Sequence, residues 1–163
     1  MTSRLLVDKI EGKTTAGTVA MPAGHIVQAV VAEHSDINTR LTTTSSSYVT
    51  TGTSLTITPK FASSKILITY HGSVHNNTSG GYTQTIIYRG STQLNQTDAA
   101  CGIGSTWQMH GIQALDAPNT TSATTYTIYA LSNSGGTAYV GWASSFSDPS
   151  QNMQYFSLME IAQ

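Results

Sequence analysis

The amino-acid sequence predicts an all-β protein, specifically an antiparallel β-sandwich of jelly-roll-like type with roughly nine strands. Short runs of β-branched and aromatic residues recur along the chain, and they alternate apolar with polar positions as half-buried strands do. Clusters of Gly, Ser, Asn and Pro separate these runs, which is typical of turns between strands. Apolar residues almost nowhere recur at helical spacing, so we expect very little helix. A chain of 163 residues is long enough for one domain with its own core.

The strand predictions come from the runs between the turn residues. The predicted strands are His25–Glu33, Tyr48–Thr51, Leu55–Thr58, Ile66–Tyr70, Thr85–Tyr88, Trp107–Leu115, Thr125–Leu131, Thr137–Ala143 and Met153–Ile161. Alternation with apolar neighbours predicts that Tyr70, Tyr126 and Tyr155 lie in the core or in an interface. The residues of Asn76–Gly81 and Asn133–Gly136 tolerate positive φ, so each segment is predicted to be the turn of a β-hairpin.

Residues 1–24 differ in composition from the rest of the chain. Gly12–Thr18 lacks bulky side chains, and Met21–Gly24 interrupts the chain before the first strong strand pattern. All thirteen aromatic residues follow Pro22, so a core must be built from the later residues. We therefore expect an extended N-terminal arm at 1–24, ordered by neighbouring subunits or by a larger structure, and a β-sandwich display domain at 25–163.

Few residues of this chain are charged. Charged residues make up 9% of the sequence and the net charge is -1, whereas Ser and Thr number 20 and 26. A surface of hydroxyls and amides suits self-association. The seven Lys and Arg are scattered from Arg4 to Arg89 without forming a patch, so we expect no nucleic-acid partner. The longest apolar run, Ala29–Ala32, is far too short to span a bilayer and the N-terminus has no apolar export segment, so we expect no membrane insertion and release by cell lysis.

No residue pattern indicates catalysis, a cofactor or a metal. Asp98 and Asp116 are the best carboxylate pair for glycoside hydrolysis, but nothing near them suggests a shared site, and each is expected to cap a turn or face solvent. Cys101 is the only cysteine, which excludes an intramolecular disulfide, and it lies in a small-residue loop typical of an inert thiol. His71 and His75 would stand about 13 Å apart on one strand face, too far for a single Zn²⁺. We expect no catalytic residue, no cofactor and no metal.

Several stretches of the sequence resemble one known family. They are Val7–Gly12, Thr18–Gln28, Thr56–Pro59 with Ser63–Ile68, Tyr88–Thr92 and Ser157–Ile161. These stretches are spread over nearly the whole chain, and in them the sequence resembles phage tail-fibre-type proteins, particularly those of marine phages. The resemblance implies a homotrimeric β-sandwich that attaches to other virion proteins through its N-terminal part and displays its C-terminal domain. The candidate attachment residues of the arm are Val7, Ile10, Val19, Met21 and Pro22.

Binding is the function class that remains once catalysis is set aside. Trp and Tyr side chains are the best suited to stack on sugar rings while using a polar tip, although core packing is their ordinary role. The candidate contacts with a bacterial surface glycan or protein are Tyr82, Asn76, Asn77, Trp107 and Trp142. Tyr82 directly follows the Gly80–Gly81 turn, so it is the best placed for a loop-mounted contact.

These observations predict a non-enzymatic structural protein of a bacteriophage virion, assembled in the host cytoplasm and released by lysis. The short arm favours a small trimeric fibre or spike-tip protein that mediates host attachment, over a full-length tail fibre. An alternative is a purely architectural protein that decorates the capsid or connects tail parts without binding a receptor. A third possibility, a glycan-degrading tail spike, has the least support from the residues.

Overall fold

The computed structural model describes residues 22–32, 40–94, 106–133, 135–141 and 154–163, and every secondary-structure element within these ranges is a β-strand. The strands are β1 (Ile26–Ala32), β2 (Leu41–Thr43), β3 (Val49–Ile57), β4 (Lys65–Asn76), β5 (Tyr82–Arg89), β6 (Thr92–Gln93), β7 (Gln108–Asp116), β8 (Thr124–Asn133), β9 (Ala138–Val140) and β10 (Gln154–Ile161). In this part of the chain no helix could cross a membrane.

The strands form two antiparallel sheets packed face to face. In the six-stranded sheet β4 pairs with β7 along one edge and with β10 along the other, and β1 pairs with β10. The short strand β9 continues along the β10 edge of β4 and pairs in turn with β2. The four-stranded sheet has the order β3-β8-β5-β6. Without β2 and β9, the orders β1-β10-β4-β7 and β3-β8-β5-β6 are those of an eight-stranded jelly roll, so the predicted β-sandwich is confirmed.

The two predicted hairpins are wrong. Asn76–Gly81 leads from β4 in the six-stranded sheet to β5 in the four-stranded sheet, and Asn133–Gly136 leads from β8 back to β9 in the other sheet. Turn residues allow the chain to reverse, but burial of the next strand's apolar face decides which sheet that strand joins. A two-residue hairpin occurs instead at Gly90–Ser91 between β5 and β6, where Gly90 has a φ of 58°.

The other strand predictions agree with the structure except at their ends. Tyr48–Thr51 and Leu55–Thr58 belong to a single strand, β3, whose register with β8 shifts midway. β4 continues past the predicted end at Tyr70 as far as Asn76, because neighbouring strands satisfy its backbone on both edges. The sequence does not predict β2 and β6, since with three and two residues they are too short to show alternation.

Inward-facing side chains of the two sheets form the core. Its main cluster contains Ile57, Ile66, Ile68, Tyr70, Ile87, Ile112, Tyr126, Ile128, Phe156 and Leu158. A smaller cluster near the end of β4 consists of Val74, Ala130 and Val140. Tyr70 and Tyr126 are fully buried in the core, whereas Tyr155 lies 54% exposed on the outer surface of the six-stranded sheet.

A small hydrogen-bonded group lies inside this core. The Tyr70 hydroxyl donates to Oε1 of Gln154 at 2.8 Å, and the Thr53 hydroxyl donates to the same oxygen at 3.1 Å. Burial raises the pKa of Tyr70, so its hydroxyl stays protonated and remains a donor. The three side chains join β3, β4 and β10 across the two sheets, so they fix the relative position of the sheets as well as filling the core.

Glu160 is fully buried at one end of the sandwich, which we call the Glu160 end. Its carboxylate accepts the backbone N–H of Lys60 at 2.9 Å and of Phe61 at 3.0 Å, and Nε2 of Gln28 at 2.6 Å. Burial by itself would raise the pKa of Glu160, but the N–H of Lys60, the Gln28 amide and the N–H of Phe61 together lower it below its ordinary value. The ionised carboxylate therefore ties β1 and the β3–β4 loop to β10.

We expect Glu160→Gln to destabilise the fold by about 2 kcal/mol, because the amide is a weaker acceptor and its NH₂ group would face N–H donors. A carboxylate whose pKa is lowered by folding stabilises the protein above its unfolded-state pKa, and this contribution is lost as the pH falls toward the folded-state value. Wild-type stability should therefore decrease as the pH drops below about 4.5, the ordinary value for Glu.

Urea unfolding at neutral pH and at about pH 3.5 measures both effects. The Glu160→Gln variant should show a shallower loss of stability with acid than the wild type does. The exposed Ser54 on β3 offers a control, since Ser54→Ala should change the free energy of unfolding by less than about 0.5 kcal/mol. Equal acid sensitivity in the wild type and Glu160→Gln would contradict the role given to this carboxylate.

Candidate functional site

The end of the sandwich opposite Glu160, which we call the Asn76 end, is formed by the connections that follow β4 and β8. The Asn77 N–H donates to the Thr137 carbonyl at 3.1 Å, and the Thr137 N–H donates to Oδ1 of Asn77 at 2.8 Å. Within the β4–β5 loop the Gly81 N–H donates to the Thr78 carbonyl at 2.9 Å. These bonds hold the two connections together, so the Asn76 end is one hydrogen-bonded unit.

Asn76 is fully buried beneath these connections. Its Nδ2 donates to Oγ of Ser132 at 3.0 Å and to the Tyr82 carbonyl at 3.2 Å, and its Oδ1 accepts the Thr78 N–H at 3.0 Å. A Cβ at Gly136 would overlap the Asn76 side chain, so this position requires glycine. Contrary to the contact predicted from the sequence, Asn76 has no exposed surface to offer a receptor. Its amide instead joins the two sheets.

Three aromatic rings form a row on the outer surface of the six-stranded sheet at the Asn76 end. Trp107 precedes β7, His75 lies in β4 and Tyr139 lies in β9, and we call these three residues the aromatic row. The rings of His75 and Trp107 stack with centroids 4.7 Å apart and planes at 22°, and the rings of His75 and Tyr139 lie 5.5 Å apart at 52°. His75 is 7% exposed between the half-buried Trp107 and Tyr139. Because His75 and Tyr139 lie opposite each other in paired strands and Trp107 directly precedes β7, the row is held in place by the sheet.

The structure separates Trp107 from Tyr82, the two aromatic candidates that it describes. Thr83 is buried and its hydroxyl donates to the His75 carbonyl at 2.8 Å, so Tyr82 points to the outside of the four-stranded sheet. The Tyr82 hydroxyl accepts a hydrogen bond from Nδ2 of Asn133. Tyr82 and Trp107 therefore share the Asn76 end but lie on opposite faces of the sandwich.

Of the remaining candidates, Asn77 and Pro22 lie within the described residues. Asn77 is exposed, although its side-chain oxygen is engaged by Thr137 as described above. Among the attachment candidates Pro22 is described: it is exposed, and its carbonyl accepts the His25 N–H at 3.2 Å. The candidates outside the described residues are Trp142, Val7, Ile10, Val19 and Met21.

Sequence reasoning did not select His75 and Tyr139 as binding residues. In the sequence, His75 is considered only with His71 as a possible metal ligand and is set aside because of their spacing, and Tyr139 is one residue of a predicted strand. They become neighbours because β4 pairs with β9, which places His75 directly opposite Tyr139. The alternation of Tyr139 with buried Ala138 and Val140 marks it as outward-facing, but no local pattern identifies its partner.

Among Asp98, Asp116 and Cys101, the residues considered for catalysis, the structure describes Asp116, and the contacts of Asp116 are those of a structural residue. Asp116 is 7% exposed, and its Oδ2 accepts the Tyr126 hydroxyl at 2.8 Å and lies 2.8 Å from Nε of Arg89. Asp116 thus forms an interior ion pair, contrary to the turn cap or solvent exposure predicted for it. Asp98 and Cys101 lie outside the described residues. Within the described part of the chain no cluster of three or more His, Cys, Asp or Glu is placed to hold a metal ion.

Comparisons with known proteins give no family for this chain. No protein-family model and no curated protein matches it. Among solved structures it is similar to the VP2 subviral particle of infectious bursal disease virus, at 11% identity and a TM-score of 0.45, over 83% of this chain and 37% of that chain. It is also similar to the structure of the Gx strain of that virus, at 11% identity and a TM-score of 0.46, over 99% and 41% of the two chains. The chain thus spans less than half the length of these proteins.

We expect Asn76→Ala to destabilise the fold by about 3 kcal/mol, because it leaves the buried Ser132 hydroxyl and the Thr78 N–H without the partners that Asn76 supplies. The adjacent Asn77→Ala is a matched control. Asn77 is exposed, so water can replace its side-chain bond to Thr137, and the loss should stay below about 1 kcal/mol. Chemical unfolding of both variants measures the difference, and equal losses would show that Asn76 does not join the sheets as described.

Proposed function

We propose that this chain is a structural protein of a bacteriophage virion, a small homotrimeric fibre or spike-tip protein that contacts a glycan on the host surface. Residues 1–24 are the anchor to other virion proteins, and residues 25–163 are the displayed domain. The observation that carries the proposal is that Gly24, where the chain enters the sandwich, and the aromatic row lie at opposite ends of it.

The arm joins the domain at the Glu160 end. The Gly24 N–H donates to the Ala162 carbonyl at 2.8 Å, and the Ala162 N–H donates to the His25 carbonyl at 2.9 Å, so the chain enters beside the last residues of β10. The 12 residues of β4 separate this point from the Asn76 end, a distance of about 35 Å at the usual rise of a strand. Anchoring through the arm would therefore place the aromatic row at the end of the domain that is farthest from the particle.

The composition of the aromatic row supports a carbohydrate ligand. A half-buried Trp and a half-buried Tyr present flat apolar surface beside a polar tip, which suits a sugar ring with one apolar face and several hydroxyls. Thr42 pairs with Tyr139 and is exposed, so it extends the row with a hydroxyl. The rings are fixed by the sheet before any ligand arrives, which lowers the entropy cost of binding.

Two features of the whole chain support a place in a virion. One is the resemblance of the sequence to phage tail-fibre-type proteins. The other is the low content of charge with 46 hydroxyl-bearing Ser and Thr residues, a surface suited to packing against other copies. Assembly in the host cytoplasm and release by lysis would bring such a protein outside the cell.

Trp107→Ala is expected to weaken binding to a bacterial surface polysaccharide by at least about tenfold, since it removes the largest ring of the row. Binding is measured by applying labelled full-length protein to an array of bacterial surface polysaccharides. Tyr129→Ala is the matched control, because Tyr129 belongs to a different ring pair, with Tyr88, whose centroids lie 4.4 Å apart on the four-stranded sheet. An equal loss in both variants, with folding verified by circular dichroism, would contradict a site at the aromatic row.

If the wild type bound no polysaccharide and no cells yet was present in purified particles, the architectural alternative would replace the proposal.

Deletion of residues 1–21 is expected to leave a folded protein that is no longer incorporated into particles. The deletion ends before Pro22 because Gly24 is hydrogen-bonded to Ala162 and belongs structurally to the sandwich. Circular dichroism tests the fold of the truncated protein, and mass spectrometry of purified particles tests incorporation. A truncated protein that is incorporated as well as the wild type would show that the anchor lies elsewhere.

A further inference from the structure

The exposed large apolar side chains of the described residues all lie on one surface. They are Ile26 and Val31 on β1, Met109 and Leu115 on β7, and Tyr155 on β10, with exposures of 48% to 59%. All five point outward from the six-stranded sheet. Four of them, Val31, Met109, Leu115 and Tyr155, are next in sequence to a buried residue that faces the core. The fifth, Ile26, pairs with Ile161, which is next to the buried Glu160. We call this surface, outward from β1, β10, β4 and β7, the apolar face.

The apolar face has its most exposed aliphatic side chains on two flanks, and between them lie the half-buried Leu67 and Met159 and the exposed Tyr155 and His71. Leu115 on β7 lies opposite Leu67 on β4, which lies opposite Met159 on β10, so one apolar row crosses these three strands. Leu67 and Met159 are half-buried, whereas Leu115 is 57% exposed and Val31, on β1, is 59% exposed. The largest exposures are therefore at the two outer strands, β1 and β7.

The outer surface of the four-stranded sheet is different in chemistry. Its outward apolar and aromatic side chains are buried or half-buried, namely Tyr82, Ile86, Tyr88, Tyr129 and Leu131, whereas its exposed outward positions on β3 and β8 include Thr50, Ser54, Thr56 and Thr125. The hydroxyls of Thr56 and Thr125 are hydrogen-bonded to each other across the strands at 2.7 Å. Water satisfies such a surface, whereas an apolar surface on this scale marks a site of association.

Area and charge both favour a second copy of this chain as the occupant. Four strands about 4.8 Å apart and some 30 Å long give a surface of about 600 Å² before side-chain relief is counted, and in a closed ring each copy shares this area between two neighbours, so that its total burial is comparable to the roughly 800 Å² that a stable interface takes from each partner. Lys65 is the only Lys, Arg, Asp or Glu at the outward positions of these four strands, so like charges would not oppose contact between identical faces. The face is thus compatible with itself in both size and charge.

We propose that the β1 flank of one copy packs against the β7 flank of the next, which closes a ring of three. Two separate apolar flanks on opposite edges of one face suit such a head-to-tail contact, because each copy then buries both flanks and no flank is left open. Tyr155 lies between the flanks, facing the centre of the ring. The aromatic row lies on the same surface beyond Ala32, the last residue of β1, so it is at the Asn76 end of the ring rather than inside the contact between flanks. This inference rests on the homotrimer of the proposed function and assigns its interface.

Complementary charges test the contact between flanks. Val31→Asp and Leu115→Lys should each abolish the trimer, because each places one unpaired charge in the interface. The double variant should restore it, since the introduced carboxylate of one copy meets the introduced ammonium of the next. Thr56→Asp and Thr125→Lys on the four-stranded sheet are the matched controls and should remain trimers. Light scattering after size exclusion measures the mass at micromolar concentration, against three times 17.3 kDa for the trimer.

The outcomes separate this inference from the proposed function. A monomeric wild type would overturn the homotrimer and, with it, the interface. If the wild type is a trimer and the Val31 and Leu115 variants are also trimers, the homotrimer stands and the apolar face is not its interface. Monomeric single variants without rescue in the double variant would overturn the pairing of β1 with β7.

Cross-linking tests the same pairing without introducing charges, should the charged variants fail to fold. In a Cys101→Ser background, Val31→Cys together with Leu115→Cys should give a covalent trimer with a short bismaleimide, whereas either cysteine alone should give none. Covalent dimers from a single-cysteine variant would indicate face-to-face pairing of like flanks and would overturn the head-to-tail arrangement.

Discussion

Most of the architecture depends on β4, a strand of 12 residues that is paired on both edges. It joins β7 to β10 over its first part and β7 to β9 at Val74, so a single strand connects the two ends of the sandwich. Its inward side chains, from Ile66 to Val74, contribute to both core clusters. Its outward side chains form part of the apolar face near Leu67 and of the aromatic row at His75. A break in this strand would therefore disturb the core, the proposed interface and the proposed binding site together.

A jelly roll moves from one sheet to the other at most of its connections, and each crossing exposes backbone groups that no neighbouring strand can satisfy. In this chain, a fully buried polar side chain at each end of the sandwich satisfies some of these backbone groups. At one end the Glu160 carboxylate accepts backbone N–H groups of the β3–β4 loop, and at the other the Asn76 amide bonds the loop that follows β4. The few charges of the chain are thus partly structural, as the interior pair of Arg89 and Asp116 also shows.

The outer surface of the six-stranded sheet combines two kinds of chemistry along its length. Near the Glu160 end it is aliphatic, and near the Asn76 end it carries stacked aromatic rings. An aliphatic surface is best covered permanently, because its burial is favourable wherever water is excluded. Aromatic rings with polar tips suit a ligand that comes and goes, because they combine apolar contact with hydrogen bonding. The proposed division between assembly and recognition follows this change in chemistry along β4.

The sequence by itself determined the fold class, the approximate strand positions and the scarcity of charge, because these follow from alternation, turn residues and composition, which are local properties. It also selected Trp107 as a candidate for a binding site, which remains a prediction. Only the tertiary structure decided that Asn76–Gly81 crosses between sheets, that Asn76 is buried, and that His75 and Tyr139 stand beside Trp107. The physical reason is that strand pairing in this fold is long-range: β4 meets β7, β9 and β10, and no local pattern records which strand pairs with which.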